Sequence, residues 1–351
     1  MQPQTRTLRM IALLGALLLI GAACGGGDEG GGEETTTTAA ATTTTEAAEE
    51  TTTTEAEETT TTEGTPSEVT VTTYFGGEVT VPYQPQTVVV LDYAALDTLD
   101  YLGLGDLVVG IPSGTTVPPH LASYAESAEN VGDLFEPDFE AINALAPDLI
   151  VAGGRSQALV PELSEIAPTV DMTFEWGSEP FVDSLTLNTM AIGQIFGVEA
   201  ETASALEALN ASAMSVAEQA ADEGTGLVIM TSGGEVSAYG PDPLGRFDMV
   251  YNVLGITPAA EQVAIDTHGD AISFEFLAET NPDMLIVLDR DAAIGEEGAS
   301  AQEILDNDLV NGTNAVVNDK VVYVDTAKWY LAFGGLSAVE TMVSEVDSLV
   351  D

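Results

Sequence analysis

From residue 88 onward, short continuous runs of apolar residues alternate with stretches in which apolar residues recur at helical spacing. Continuous apolar runs are typical of strands buried on both faces, and their alternation with amphipathic helices indicates parallel sheets covered by helices. The predicted strands are Val88–Leu91, Val108–Ile111, Asp148–Ala152, Thr169–Thr173, Leu227–Thr231, Val236–Tyr239, Met284–Leu288 and Val321–Val324. The predicted helices are Tyr93–Leu102, Phe139–Leu145, Gln157–Ile166, Phe181–Phe196, Ala200–Ala221, Phe247–Leu254, Phe274–Glu279, Ala301–Leu305 and Leu336–Val350.

The strand pattern is interrupted once, near the middle of the chain. The segment from residue 181 carries only helical spacing, and Gly197 stands where a glycine commonly ends a helix. The fold class is therefore predicted as α/β with two lobes, each containing a mainly parallel sheet flanked by helices. We expect an N-terminal lobe over residues 67–180, a linking helix over 181–197 and a C-terminal lobe over 198–351.

The first 66 residues have a different composition. Arg6 and Arg9 precede the apolar run Met10–Ile20, which is too short to span a bilayer and is typical of a signal peptide over residues 1–23. The chain's single cysteine, Cys24, follows three small residues and resembles the acylated cysteine of a bacterial lipobox. Residues 24–66 are rich in Thr, Glu and Gly, so we expect an acidic, disordered tether behind a lipid anchor.

Charge narrows the candidate chemistry. The chain has 58 acidic and seven basic residues, with a formal net charge of −51, so nothing neutralises nucleic-acid phosphates and no nucleic acid is expected as a partner. A single cysteine forms neither an intrachain disulfide nor a thiolate cluster. Besides the two leader arginines and two lysines, three arginines remain, namely Arg155, Arg246 and Arg290. We interpret them as the groups that hold an anion.

Several of these residues follow predicted strands. Arg155 comes after Asp148–Ala152 through two glycines, Arg290 comes after Met284–Leu288, and Tyr330 follows Val321–Val324. Open α/β sheets bind ligands beyond the carboxyl ends of their strands. If the two halves face each other, these side chains point into a shared cleft.

Five segments in order carry a resemblance to a known family. They are Asp138–Leu145 leading to Gly154-Arg155, Ser237–Pro241 leading to Gly245-Arg246-Phe247, Thr267-His268-Gly269 leading to Ile272–Leu277, Asn281-Pro282-Asp283 leading to Asp289-Arg290, and Trp329-Tyr330-Leu331 near Gly334-Gly335. The chain resembles the substrate-binding lipoproteins of ABC importers for ferric siderophores, whose two lobes are joined by one long backbone helix. Binders of catecholate siderophores, of the enterobactin-fragment and petrobactin type, are the most similar.

The resemblance implies roles for individual residues. It places the arginines that meet the iron complex at Arg155, Arg246 and Arg290, with Tyr239 beside them, and implies that His268 and Tyr330 can ligate ferric iron directly. The family's second arginine usually follows a serine, whereas Gly245 stands there in this chain. Glu140 and Glu275 match the positions that dock onto the permease. Both begin predicted helices, where an acid also stabilises the helix dipole.

The implied protein is a monomeric, extracytoplasmic binding protein, anchored by lipid to a bacterial cell membrane. Its partners are a ferric siderophore and an ABC permease, and it has no intrinsic cofactor. Cobalamin, haem or a hydroxamate siderophore is the alternative ligand. An enzyme is not expected, because the chain contains neither G-x-S-x-G nor H-E-x-x-H.

For several of these residues a purely structural role is the alternative to a role in binding. Arg290 is adjacent to Asp289 and could form an ion pair with it, and His268 could be an ordinary loop histidine. Trp329 is expected in the core, and Tyr330 and Tyr239 either line the cleft or pack. His120 matches no motif and is expected at the surface.

Overall fold

A computed structural model of the chain describes residues 66–174, 181–242, 245–260 and 269–350. The predicted signal peptide and Cys24 lie outside these ranges, as do His268 and all but the last residue of the predicted tether.

Strands form three sheets in the described residues. The strands are β1 Glu68–Thr73, β2 Gly77–Pro82, β3 Val88–Val90, β4 Val108–Ile111, β5 Glu129–Asn130, β6 Leu149–Ala152, β7 Thr169–Asp171, β8 Thr225–Ser232, β9 Glu235–Tyr239, β10 Thr257–Pro258, β11 Asp270–Ile272, β12 Met284–Asp289 and β13 Val321–Tyr323. The α-helices are α1 Tyr93–Tyr101, α2 Tyr124–Ser127, α3 Phe139–Leu145, α4 Val160–Leu163, α5 Phe181–Phe196, α6 Glu199–Ala220, α7 Phe274–Thr280, α8 Arg290–Ile294, α9 Ala301–Leu305, α10 Asp308–Asn311, α11 Asn314–Val317, α12 Thr326–Tyr330 and α13 Leu336–Val350.

The first large sheet is entirely parallel, in the strand order β5-β4-β3-β6-β7. Its central strands β3 and β6 are buried at every residue, as their continuous Val, Leu and Ile content predicts. The chain begins this sheet at its central strand β3, adds β4 and β5 on one side and then β6 and β7 on the other. The loops after β3, β4 and β6 therefore meet at one carboxyl edge. That edge is where an open α/β sheet binds its ligand.

The second large sheet is mixed, in the order β11-β9-β8-β12-β13, with β10 pairing with β8. β12 runs parallel to β8 and β13, whereas β9 runs antiparallel to β8 and β11. The antiparallel pair arises because Gly233 and Gly234 both adopt positive φ, 58° and 81°, in a two-residue turn between β8 and β9. Such a turn joins antiparallel neighbours and needs glycine-like residues.

Two predicted helices differ in detail, and several short elements were not predicted, among them the hairpin β1–β2. The helix expected over residues 157–166 is a 3-10 helix, Gly154–Leu159, followed by the short α4. The helix expected over residues 247–254 contains a π-helical turn, Met249–Val253.

Helix α5 contributes to both hydrophobic cores. Phe181 and Leu185 at its start pack with the residues under the second sheet, and Ile195 and Phe196 at its end pack with those under the first. The long helix α6 then leads into the second sheet, and its buried face packs in the second core. The two lobes are thus linked through this helical segment, and the boundaries 67–180, 181–197 and 198–351 stay a prediction.

The last helix, α13, is anchored at its start to the first lobe. The fully buried carboxylate of Asp97, on α1, accepts hydrogen bonds from the backbone N–H groups of Ser337 (2.8 Å) and Ala338 (3.2 Å). Its other oxygen lies 2.9 Å from Nε2 of His120. A side chain at Gly335 would collide with this carboxylate, so only glycine lets the helix approach so closely.

His120 was expected at the surface, and that expectation was wrong. The side chain is only 21% exposed because it lies against the buried Asp97 carboxylate.

None of the helices among the described residues is long and apolar enough to cross a membrane.

Candidate ligand-binding site

A cleft of about 200 Å³ lies between the carboxyl edges of the two large sheets. The residues that line it come from both lobes. They are Thr115, Thr116, Leu134, Phe135 and Arg155 from the first, and Arg290, Ile294, Tyr330 and Leu331 from the second. At its side the lobes touch directly, since the hydroxyl of Thr116 donates to the carbonyl oxygen of Ile294 at 2.8 Å.

The ring of Tyr330 is the centre around which the three arginines gather. The guanidinium carbon lies 4.4 Å from the ring centroid for Arg246, 5.6 Å for Arg290 and 5.7 Å for Arg155. All three distances fall within the range of cation–π attraction. Three like charges on three separate elements therefore share one aromatic ring.

Arg290 is the most firmly oriented of the three. Its Nε donates to the phenol oxygen of Tyr330 at 2.9 Å, and one terminal nitrogen donates to the hydroxyl of Ser232 at 3.2 Å. β8 and β12 are neighbouring parallel strands, so Ser232 and Arg290 leave the sheet side by side. Burial lowers the pKa of Arg290, but the bond to Tyr330 and the charge of Asp291 outweigh it, and the pKa is raised overall.

The alternative ion pair between Arg290 and Asp289 is not formed. The carboxylate of Asp289 instead caps α8, accepting from the backbone N–H of Ala292 (3.0 Å) and from that of Ala301 (2.9 Å). Arg290 pairs with Asp291 at 3.7 Å. This pair is partly exposed and looser than a hydrogen bond, so it contributes little.

Arg246 is the most buried of the three, at 7% exposed. It follows the loop after β9, and a terminal nitrogen donates to the carbonyl oxygen of Tyr330 at 3.2 Å. Burial lowers the pKa of Arg246; the phenols of Tyr239 and Tyr330 oppose this effect, and the charges of the other two arginines add to it. An anion in the cleft would relieve that repulsion.

Arg155 is placed by two glycines. Gly154 adopts a positive φ of 49°, and at Gly153 an added Cβ would lie 3.1 Å from the carboxyl carbon of Asp92. The turn is held because the N–H of Gly154 donates to the hydroxyl of Thr173 at 2.9 Å. No carboxylate among the described residues lies within 4.0 Å of the Arg155 guanidinium, which faces the rings of Phe135 and Tyr330 instead. Its charge is therefore available to a ligand.

The position of Tyr330 depends on its neighbour in sequence. Trp329 is fully buried, as expected for a core residue, and its indole N–H donates to a carboxylate oxygen of Glu345 at 2.6 Å. Glu345 also accepts from the backbone N–H of Asp325 at 2.8 Å, and Asp325 caps the start of α12. Burial raises the pKa of Glu345. The buried Trp329–Glu345 pair fixes the short helix that presents Tyr330.

Tyr239 lies in the core beside the cleft. It is 3% exposed and meets the ring of Phe247 edge-on with centroids 4.6 Å apart. Its phenol lies near enough to Arg246 to affect that pKa. Its packing role is visible, and a contact with ligand stays a prediction.

The two glutamates expected to dock onto a permease lie away from the cleft lining. Glu140 and Glu275 are both exposed in the first turns of α3 and α7. Asp138 and Ser273 cap these helices, so the glutamates are not needed as caps. Their carboxylates are left to face solvent at the surface of each lobe.

Six residues that line the cleft were not predicted as site residues from sequence: Thr115, Thr116, Leu134, Phe135, Ile294 and Leu331. Ser232, which accepts a hydrogen bond from Arg290, was not predicted either. Ser232 ends β8 and the two threonines follow β4, so the carboxyl-end rule that indicated Arg155 also applied to them. Phe135 follows no long strand, and its sequence offered no signal. Among the described residues, no group of three or more His, Cys, Asp or Glu side chains is arranged to hold a metal ion.

Two sheets that face each other across an arginine-lined cleft define a two-lobed ligand-binding protein. A family model described as periplasmic binding protein matches residues 88–327, and the chain belongs to this family. Its members are substrate-binding components of transport systems, so the chain is not an enzyme, as predicted.

Relatives narrow the comparison. The petrobactin-binding protein YclQ of Bacillus subtilis (strain 168) is 38% identical over 268 residues, which cover 76% of this chain and 83% of the relative. Its crystal structure matches with a TM-score of 0.74 at 36% identity, covering 81% of this chain and 99% of that chain.

Two further proteins are similar over most of their length. The ferric-anguibactin-binding protein FatB of Vibrio anguillarum (strain ATCC 68554 / 775) is 30% identical over 275 residues, 77% of this chain and 84% of the relative. The crystal structure of the periplasmic catecholate-siderophore binding protein VctP from Vibrio cholerae matches with a TM-score of 0.72 at 33% identity, covering 80% of this chain and 99% of that chain.

Proposed function

We propose that the protein binds an anionic ferric-siderophore complex, of catecholate type, in the cleft and delivers it to the permease of an ABC importer for iron uptake. One observation carries the proposal. A chain with only seven basic residues places three of them, Arg155, Arg246 and Arg290, around a single tyrosine ring. The relatives named for petrobactin, anguibactin and catecholate siderophores support the same ligand class.

The chemistry of the ligand fits this site. Ferric iron is a hard cation that prefers oxygen donors, and three catecholates around it leave a charge of about −3. Guanidinium groups stay charged and donate several hydrogen bonds in a fixed plane, which suits clustered anionic oxygens. Three arginines match the charge of the complex.

The three arginines suit the alternative ligands less well. Cobalamin, haem and hydroxamate siderophores present less negative charge to the protein than a tris-catecholate complex does. They would leave part of the arginine charge in the cleft uncompensated. The relatives named above are named for siderophores, and VctP for catecholate siderophores, which supports this ligand class over the alternatives.

Direct iron ligation by the protein is proposed for ligands that leave coordination positions open. A siderophore with two catechol groups fills four positions, and the phenol of Tyr330 with the imidazole of His268 supplies the other two. Tyr330 stands in the cleft with its oxygen held by Arg290. For ligands with three catechols the same side chains make only hydrogen bonds and van der Waals contacts.

The remaining roles follow from the family. Glu140 and Glu275, exposed on the two lobes, dock onto the permease. Cys24 carries the lipid that anchors the protein outside the cytoplasm at the cell membrane, with residues 24–66 as the tether. The protein acts as a monomer and needs no intrinsic cofactor.

A fluorescence titration tests the ligand class. The buried Trp329 lies next to Tyr330, so a coloured ferric catecholate in the cleft should quench its emission. Purified protein is titrated with ferric catecholate, and saturable quenching at micromolar concentration or below is expected. Ferric catecholate that leaves the emission unchanged and does not co-elute with the protein would overturn the proposal.

A further inference from the structure

Phe135 has the most exposed aromatic ring among the described residues, at 66%. An apolar side chain of this size is costly to leave in water, and single exposed apolar residues are usually found on open surfaces. Phe135 instead lines the cleft, next to the buried Leu134 and opposite Ile294 and Leu331 of the second lobe. The ring is therefore exposed into the cavity that receives the ligand.

The loop that carries Phe135 is firmly built. One carboxylate oxygen of Asp133 accepts from the backbone N–H groups of Phe135 (2.8 Å) and Glu136 (2.7 Å). The loop closes where Gly132 and Pro137 form an antiparallel bridge. Gly132 also accepts from the N–H of Gly114 at 2.8 Å. These bonds fix the backbone from which the ring extends at the cleft.

Arg155 lies between two aromatic rings. Its guanidinium carbon is 5.9 Å from the centroid of Phe135 and 5.7 Å from that of Tyr330. An anionic oxygen that reaches Arg155 therefore comes within a few ångströms of the Phe135 ring. The atoms attached to that oxygen decide whether the contact is favourable.

Catecholates and aliphatic chelators differ in these atoms. In a catecholate, the anionic oxygen is bonded directly to an aromatic ring, so ring and oxygen enter together. Offset or edge-on contact between aromatic rings is favourable beyond the area it buries. In a complex such as ferric citrate, the atoms beside the oxygen are carboxylate and hydroxyl groups, which lose hydration against an apolar ring.

We propose that Phe135 is a specificity-determining residue that packs against the catechol ring of the ligand while Arg155 binds the oxygens of the same ring. This inference rests on the proposed function and extends it to one side chain. It makes the cleft selective for aromatic iron chelators over aliphatic ones of similar negative charge.

The test compares two ligands across matched variants. Dissociation constants for ferric 2,3-dihydroxybenzoate and ferric citrate are measured with the wild type, Phe135→Ala and Phe135→Leu. Phe135→Ala should weaken catecholate binding about tenfold, because both ring contact and apolar area are lost, and change citrate binding less than about twofold. Phe135→Leu should lie between, because leucine keeps apolar area without the ring.

Phe75→Ala is the matched control, since it removes an exposed phenylalanine that does not line the cleft. It should leave both constants unchanged, and thermal melts should show all variants folded. Equal weakening of both ligands by Phe135→Ala, or weakening of neither, would overturn the specificity role. Wild-type protein that binds neither iron complex would overturn the proposed function itself, a separate and recognisable result.

Discussion

Replacing Asp97 by alanine should destabilise the protein far more than replacing any exposed acid on the same helix. The carboxylate is fully buried and meets three donors: two backbone N–H groups at the start of α13 and the imidazole of His120. α13 packs against α6 in the second lobe, whereas Asp97 belongs to the first. The change therefore removes a bond between the lobes.

The magnitude follows from what is left unpaired. Hydrogen bonds to a charged group contribute about 1.5–3 kcal/mol each, and losing a helix cap alone costs roughly 0.5–2 kcal/mol. The hydrogen-bond energy and the helix-cap energy are not added together, because the same two backbone N–H groups account for both. A buried donor left without its acceptor costs about 1–3 kcal/mol, and two N–H groups and the imidazole lose theirs here, so we expect Asp97→Ala to cost about 3–5 kcal/mol. Asp97→Asn keeps an acceptor for the helix and should cost less.

Urea unfolding of the purified domain measures the free energy of unfolding for each variant. Asp100→Ala is the control, because Asp100 lies three residues further along α1, is exposed, and makes one side-chain bond, to the hydroxyl of Tyr124 at 2.8 Å. It should cost about 1 kcal/mol. If Asp97→Ala and Asp100→Ala cost the same, the carboxylate does not hold the lobes together as described.

Four further outcomes are expected. In a titration, Arg290→Ala should weaken binding of a trianionic ferric catecholate at least about tenfold, and an unchanged dissociation constant would remove Arg290 from the site. Lys320→Ala makes an equal charge change at a partly exposed salt bridge outside the cleft and should leave binding unchanged. His268→Ala should weaken binding of a bis-catecholate more than that of a tris-catecholate, and equal effects would argue against direct ligation. Burial raises the pKa of Glu345 above its ordinary 4.5, so the stability that Glu345 contributes is complete below pH 4.5 and is lost as pH rises through the raised value. In thermal melts across this window, the melting temperature of Glu345→Gln should therefore rise relative to that of the wild type as pH increases, and parallel curves would contradict the burial effect. Raising salt from about 0.01 M to about 0.15 M should speed association of the ligand in stopped-flow measurements, because salt screens the repulsion between a net charge of −51 and the anionic ligand. Slower association would show that the arginines dominate at long range.

Much of the cleft could be predicted because strand ends are visible in sequence. Strands β6 and β12 are continuous apolar runs, and the residues that follow them, Arg155 and Arg290, reach the same cavity. The parallel arrangement places all such ends on one edge. The rarity of cations in this chain then marked which strand-end residues mattered.

Pairings between distant residues could not be predicted. Asp97 reads as one polar position in a short amphipathic helix, and His120 as a residue after two prolines. Their contact depends on how α1, a 3-10 turn and α13 pack, which no local pattern encodes. The hairpin β1–β2 is a different case, because Val alternates with polar residues on both sides of Gly76-Gly77, a signal for paired strands that the prediction overlooked.

The burial of Arg246 also escapes sequence reasoning, and it bears on how the cleft works. The positive charges of Arg155 and Arg290 add to the effect of burial in lowering the pKa of Arg246, so three like charges stand close together around the ring of Tyr330. An arginine that stays protonated there is held at a cost, and an anion that neutralises the group removes the cost on binding. The hydrogen bonds from Arg290 to Tyr330 and Ser232 fix the guanidinium beforehand, so little rotamer freedom is left to lose. The positive charge gathered at the cleft and the side chains ordered before binding both favour a compact, highly charged anion, and a neutral ligand of the same size would not compensate that charge.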